Sequence, residues 1–142
     1  MTQEQFEWVR TAAFALVLLP VMIANLRTGR ISNGQSALVL IAGAALVVAE
    51  RMLTGAWTVA PLFWGITAAA MLLRAGLRVL PGGGAKFMIA LLPWFANSGA
   101  LMVVVTAGFF ITAAIGYAKG GEGPLVPGFY AAGLGALIYA AL

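Results

Sequence analysis

The amino-acid sequence predicts an all-α fold, a single polytopic membrane domain over residues 1–142 built as a bundle of six transmembrane helices. Three observations carry that expectation. Hydrophobic residues make up 63% of the chain and charged ones 8%, with a mean hydropathy of +1.02, more apolar surface than a soluble core of this size can hide. Apolar stretches long enough to cross a bilayer recur along the chain, separated by short polar islands. The cations behind the net charge of +4 sit singly at the ends of those stretches, with no basic run and interleaved aromatics. The basic balance therefore points to a membrane surface and not to nucleic acid. A chain of 142 residues leaves no room for a separate soluble domain.

The first apolar segment covers about residues 6–24, and Pro20 is expected to kink it, a distortion membrane helices tolerate when neighbours satisfy the freed carbonyl. A cleaved signal peptide is the competing reading; an acidic n-region and the lack of a clear small-residue cleavage site count against it. In the polar island that follows, Gly29, Ser32, Asn33 and Gly34 read as turn or capping residues, so the second helix is expected over about residues 35–48. It leads to Glu50-Arg51, read as the point where a helix meets headgroups and water in preference to a buried functional pair, and to a turn at Thr54-Gly55.

The third segment, about residues 57–73, carries Pro61 and passes Arg74 and Arg78; Trp57 and Trp64 mark interface depth unless one is packed in the bundle. Pro81-Gly82-Gly83-Gly84-Ala85-Lys86-Phe87 then reads as a tight polar turn, because glycine accepts dihedrals that a Cβ resists. The fourth segment, residues 87–95, ends at Asn97-Ser98-Gly99 and is too short to span alone unless its helix begins within the glycine loop or the bilayer is locally thin. The fifth covers about residues 100–118 and the sixth about 127–142, with a loop from Lys119 to Pro124 between them. Gly128, Gly133 and Gly135 read as close helix contacts, since small residues let membrane helices approach.

Six segments place both termini on one side. Arg27, Arg30, Arg74, Arg78, Lys86 and Lys119 fall in the first, third and fifth loops, against only Arg10 and Arg51 on the other side. Since cytoplasmic loops carry the excess of Lys and Arg, the two polar islands are expected on the cytoplasmic face and both termini outside it.

The sequence contains neither cysteine nor histidine, which excludes disulfides, thiol nucleophiles, imidazole bases and the usual zinc sites; no metal and no cofactor is expected. Its acids are Glu4, Glu7, Glu50 and Glu122, with no aspartate. Glu4, Glu7 and Glu122 read as solvated surface charges.

Residues 25–33, Asn-Leu-Arg-Thr-Gly-Arg-Ile-Ser-Asn, resemble the Asp-x-Arg…Ile-Pro-Asn signature that closes the first helix of type IV prepilin peptidases. Residues 82–94, Gly-Gly-Gly-Ala-Lys-Phe-Met-Ile-Ala-Leu-Leu-Pro-Trp, resemble their second signature, a Gly-x-Gly-Asp-x-Lys run entering an apolar helix that often carries tryptophan. The motifs come in the family order about sixty residues apart, and the chain is most similar to the short branch associated with Flp or tight-adherence pili, since the cysteine-rich insert of longer enzymes has no counterpart. The resemblance implies a bacterial inner-membrane protein that meets a prepilin or pilin-like precursor and cleaves its leader with a pair of aspartates, one ionised and one protonated.

Neither aspartate is present. The first position is Asn25, an amide of nearly the same shape that exchanges no proton near neutral pH. Aligning the glycines puts Ala85 at the second position and moves the family lysine onto Phe87; aligning Lys86 and Trp94 leaves the aspartate deleted between Gly84 and Ala85. The second alignment keeps the lysine and the helix register. Both imply a peptidase scaffold without proton transfer, either a natural pseudo-enzyme or an inactivated variant.

The resemblance makes Arg27, Arg30, Asn33, Gly82, Gly83, Gly84 and Lys86 candidates for the site loop or for substrate contacts. The bland readings are membrane anchors for Arg27 and Arg30, a helix cap for Asn33, an ordinary sharp turn for the glycines, and a headgroup phosphate contact for Lys86, which would make membrane lipid a partner. Two further function classes stand beside the peptidase. One is a non-catalytic membrane protein that binds pilins or pilus-assembly partners; the other is a small transporter or channel subunit, disfavoured because no charge is expected in mid-membrane and no inverted repeat is found.

Overall fold

In the computed structural model, which describes residues 1–56, 61–76, 82–95 and 98–142, every regular element is helical. The order is α1 (Gln3–Thr28), α2 (Asn33–Thr54), α3 (Pro61–Gly76), α4 (Gly82–Leu91) with a 3₁₀ turn at Leu92–Trp94, α5 (Ser98–Lys119) and α6 (Leu125–Ala141). Over 18-residue windows α1, α2 and α5 are long and apolar enough to cross a membrane. The 17 residues of α6 and the 10 of α4 are shorter. At 1.5 Å per residue α6 is roughly 25 Å long, against a hydrocarbon core of about 30 Å. Trp57, Arg78 and Asn97, and the side chain of Arg74, lie outside the described residues.

Helix boundaries follow capping chemistry. Thr2 and Gln5 bond each other's backbone in a capping box, so α1 starts at Gln3 instead of near Phe6. It runs through Pro20 without interruption and continues past Ala24 to Thr28, where Gly29 takes a left-handed φ of 67° and returns its N–H to the Asn25 carbonyl. Residues 25–28, expected as part of a polar loop, are thus the last turn of α1. Ser32 and Gln35 form a second capping box, which moves the start of α2 to Asn33 and makes Ser32, not Asn33, the cap. Gly55 closes α2 with φ 75°, at the expected turn.

The glycine stretch departs most from expectation. Gly82, Gly83 and Gly84 form the first turn of α4 and not a loop, the alternative under which the short fourth segment gains length. Glycine disfavours a helix by about 1 kcal/mol per residue relative to alanine. Packing offsets that cost: Ala85, Phe87, Met88, Ala90 and Leu91 are all buried, as is the whole 3₁₀ turn, which makes this the innermost element.

Around it, Phe14 of α1 meets Trp94 and Phe95 edge-on at 5.4 and 5.8 Å and stacks on Tyr130 of α6, while Phe129 of α6 meets Phe87 and Phe109. Trp94 donates its indole N–H to the Val39 carbonyl at 3.0 Å, and Gly43 leaves the room, since a Cβ there would lie 2.7 Å from Nε1. Trp64 is half-buried against this core, the packed alternative to an interface marker.

Helices α5 and α6 touch through small residues. A Cβ on Gly128 would collide with the Gly108 carbonyl and Thr112, and one on Gly133 would reach Phe14 at 2.5 Å. Gly135, expected as a third such contact, faces open space. The outer surface stays apolar: Leu16, Ile41 and Phe110 are 73%, 66% and 79% exposed. Those areas suit a hydrocarbon surround and not water.

Candidate functional site

Four helix ends converge where the sequence places its two motifs. Asn25, on the last turn of α1, is 1% exposed. Its Oδ1 accepts the Val126 N–H at 3.1 Å, one of the amides that the start of α6 leaves without an intrahelical acceptor, and its Nδ2 donates to the Arg30 carbonyl at 3.3 Å. The amide therefore ties the α1–α2 turn to the N-terminus of α6. Leu125, the neighbour of Val126, lies against Gly84: a Cβ added there would sit 3.4 Å from Leu125 Cδ2. Asn25 and the Gly84–Ala85 junction thus flank successive residues of α6.

Lys86, one turn into α4, is exposed and donates to Asn33 Oδ1 at 3.0 Å. This bond joins positions 53 residues apart and brings the second motif to the first. Asn33 is a side-chain acceptor for Lys86 instead of a cap, because Ser32 already occupies that role. Arg27 and Arg30 are both exposed at the same end, and Thr28 fixes the turn between them by accepting the Arg30 N–H at 3.2 Å. Ala85 is 1% exposed and lies inside the bundle. Between α2 and α4, Asn33, Ser36, Ala37, Leu40, Lys86 and Ile89 line a cavity of about 310 Å³.

Among the described residues no carboxylate bonds Asn25, Asn33 or Lys86. Glu122 is exposed in the loop before α6, and the other acids belong to the far end of α1 and α2. The site can donate and accept hydrogen bonds and attract an anion, but it holds no acid–base pair.

The far end carries a network that charge counting missed. Glu50 is not at a wet interface. It is 0% exposed and accepts from Arg10 at 2.8 Å through Oε2 and from Gln3 at 2.6 Å through Oε1. Arg10, 1% exposed, also bonds Glu7 at 2.8 Å and lies over the Phe6 ring, while Arg51 bonds the Gly55 carbonyl. Glu7 is accordingly an ion-pair partner and not a free surface charge. The signal was in the spacing of Phe6, Arg10, Phe14, Leu18, Val21 and Asn25, steps of three and four that place all six on the buried face of α1. No family model, curated protein sequence or solved structure matches this chain.

Proposed function

We propose that this chain is an integral membrane protein of the prepilin-peptidase type that engages a pilin-like precursor at the cytoplasmic face of a bacterial inner membrane without cleaving it. All six helices would lie in the membrane, the shorter α3, α4 and α6 accommodated by the longer ones, with both termini outside the cytoplasm. One observation carries the reading: two short stretches that resemble the peptidase signatures meet at one end of the bundle, through Asn25 to α6 and Lys86 to Asn33, with no carboxyl group between them. The orientation draws support from charge. Arg27, Arg30, Lys86 and Lys119 gather at that end against Glu122, while Glu4, Glu7 and Glu50 stand with Arg10 and Arg51 at the other.

Cleavage of a peptide bond by this architecture would need one carboxylate to activate water and one carboxylic acid to protonate the leaving nitrogen. An amide at position 25 does neither. Its oxygen is occupied by Val126, and its nitrogen is held by Arg30. What remains is a hydrogen-bonding rim over an apolar bundle, suited to an apolar helix joined to a polar segment. The transporter reading gains nothing from Arg10 and Glu50, whose charges are paired with each other near the bundle end.

The test is co-expression with a pilin-type precursor carrying a photo-crosslinker at its leader–helix junction. Cross-linking to this chain with the precursor left at full length is the expected result. Asn25→Asp combined with an aspartate inserted after Gly84 is expected to produce cleavage. Processing by the chain as it stands overturns the chemistry; no cross-link and no gain of cleavage, in protein shown to be helical, overturns the scaffold reading.

A further inference from the structure

We infer that the cavity between α2 and α4 binds an anionic phospholipid, its phosphate held by Lys86 and the start of α2 and an acyl chain lying along Ala37, Leu40 and Ile89. The wall changes character with position along α2: Asn33 and Ser36 come first, with Lys86 facing them from α4, and Ala37, Leu40 and Ile89 follow. A polar end and an apolar end are what an amphiphile requires. At about 310 Å³ the space lies at the lower end of the roughly 300–1,000 Å³ usual for ligand sites.

Ser36 gives the independent indication. It is 7% exposed, lines the cavity, and its hydroxyl makes no hydrogen bond with any described residue. Helical hydroxyls ordinarily bond the carbonyl one turn earlier. Thr11, Thr28 and Thr54 do so, to Glu7, Ala24 and Glu50, whereas Thr112 turns to the Leu125 carbonyl of the next helix. A hydroxyl on a residue so largely buried that leaves this partner unused and opens on the pocket is placed for an acceptor there.

The charge is complementary to phosphate. Lys86 uses one of its three N–H groups on Asn33 and forms no ion pair among the described residues. The capping box of α2 consumes the amides of Ser32 and Gln35, leaving those of Asn33 and Gly34 without an intrahelical acceptor. Such a helix start attracts anions, and basic pockets between membrane helices take anionic headgroups. Exposed Arg27 and Arg30 add to the positive field at this end. The inference requires that the chain sit in a membrane and not that it engage a pilin.

Native mass spectrometry of the full chain in neutral detergent, titrated with phosphatidylglycerol and phosphatidylcholine of identical acyl chains, tests it. Phosphatidylglycerol is expected to be retained several-fold more than phosphatidylcholine. Lys86→Ala and Ser36→Ala are expected to remove most of that difference, while Lys119→Ala, an exposed cation at the same end, leaves it intact. Lys86 is exposed, so its variant is expected to keep the wild-type circular dichroism, and Lys86→Arg restores discrimination. Equal retention of the two lipids by the wild type overturns the inference, as does equal loss in Lys119→Ala. Displacement by millimolar inorganic phosphate overturns the lipid assignment in favour of a soluble anion. A wild type that shows no lipid discrimination yet cross-links pilin sinks this inference alone, and one that discriminates between the lipids but never cross-links pilin sinks the pilin reading alone.

Discussion

Two side chains on one face of α1 show how differently buried polarity is used in this protein. Asn25 is neutral and spends its donor and its acceptor on backbone groups, so it fastens helix ends at no cost in buried charge. Arg10 is charged and 1% exposed, and it persists only because Glu7 and Glu50 face it and Gln3 fills the remaining carboxylate oxygen. Breaking a buried pair on one side costs about 3–5 kcal/mol, whereas replacing both partners by apolar groups is often neutral. The loss should also be lopsided. Arg10→Met takes the ion-pair partner from Glu50, which is 0% exposed, while Glu50→Leu leaves Arg10 still bonded to Glu7. In a double-mutant cycle read by unfolding in mixed micelles, Arg10→Met is expected to lose about 3–5 kcal/mol, Glu50→Leu less, and the double variant to recover most of the loss. An additive double variant would mean the two residues do not act as a pair.

At the scale of elements, α4 decides whether its glycines serve packing or a ligand. Gly84 has ordinary van der Waals room for a methyl group, 3.4 Å from Leu125, so packing does not require glycine there. Gly128 is different, since its missing Cβ lets α6 touch the backbone of α5 at Gly108 and Thr112. Gly84→Ala is therefore expected to leave thermal stability unchanged or raise it by about 0.5–1 kcal/mol, the usual gain for alanine over glycine in a helix. Gly128→Leu is expected to separate α5 from α6 and lower the melting temperature sharply. If Gly84→Ala abolishes pilin cross-linking while stability holds, the glycine serves a close approach by the partner. The same elements show what was legible in the sequence. Gly29 and Gly55 were legible as turn residues, because a left-handed cap is a local property, although α1 reaches Gly29 one turn beyond the end its apolar stretch suggested. Helix in place of loop at residues 82–84 was legible only as the alternative that the short fourth segment required, because burial of the rest of α4 outweighs the local preference of glycine. Nor was the meeting of Lys86 with Asn33, which joins distant positions and leaves no local mark. Arg10 was legible in the helical period, but counting it as a loop cation concealed that it shares a face with Phe14 and Leu18.

For the whole molecule the proposed membrane placement implies a direction, and the bundle makes this testable. Helices α1 and α6 run antiparallel, with Asn25 at Val126 and Phe14 at Tyr130, while Gln3 reaches Glu50 near the end of α2. The turn after α1 and the loop before α6 therefore share one end, and the start of α1 lies with the end of α2 at the other. The excess of cations at the first end predicts that it faces the cytoplasm. Because the sequence contains no cysteine, a single introduced thiol is the only one a reagent can find. Gly121→Cys, where the backbone leaves open space, and Glu4→Cys, at an exposed position of the first turn of α1, report the two ends without disturbing a described contact. With an impermeant maleimide added to intact spheroplasts, Glu4→Cys is expected to be labelled and Gly121→Cys to react only after the membrane is opened. The opposite pattern would put the Asn25 end outside, away from a cytoplasmic leader, and would remove the pilin reading while leaving the fold and its buried network untouched.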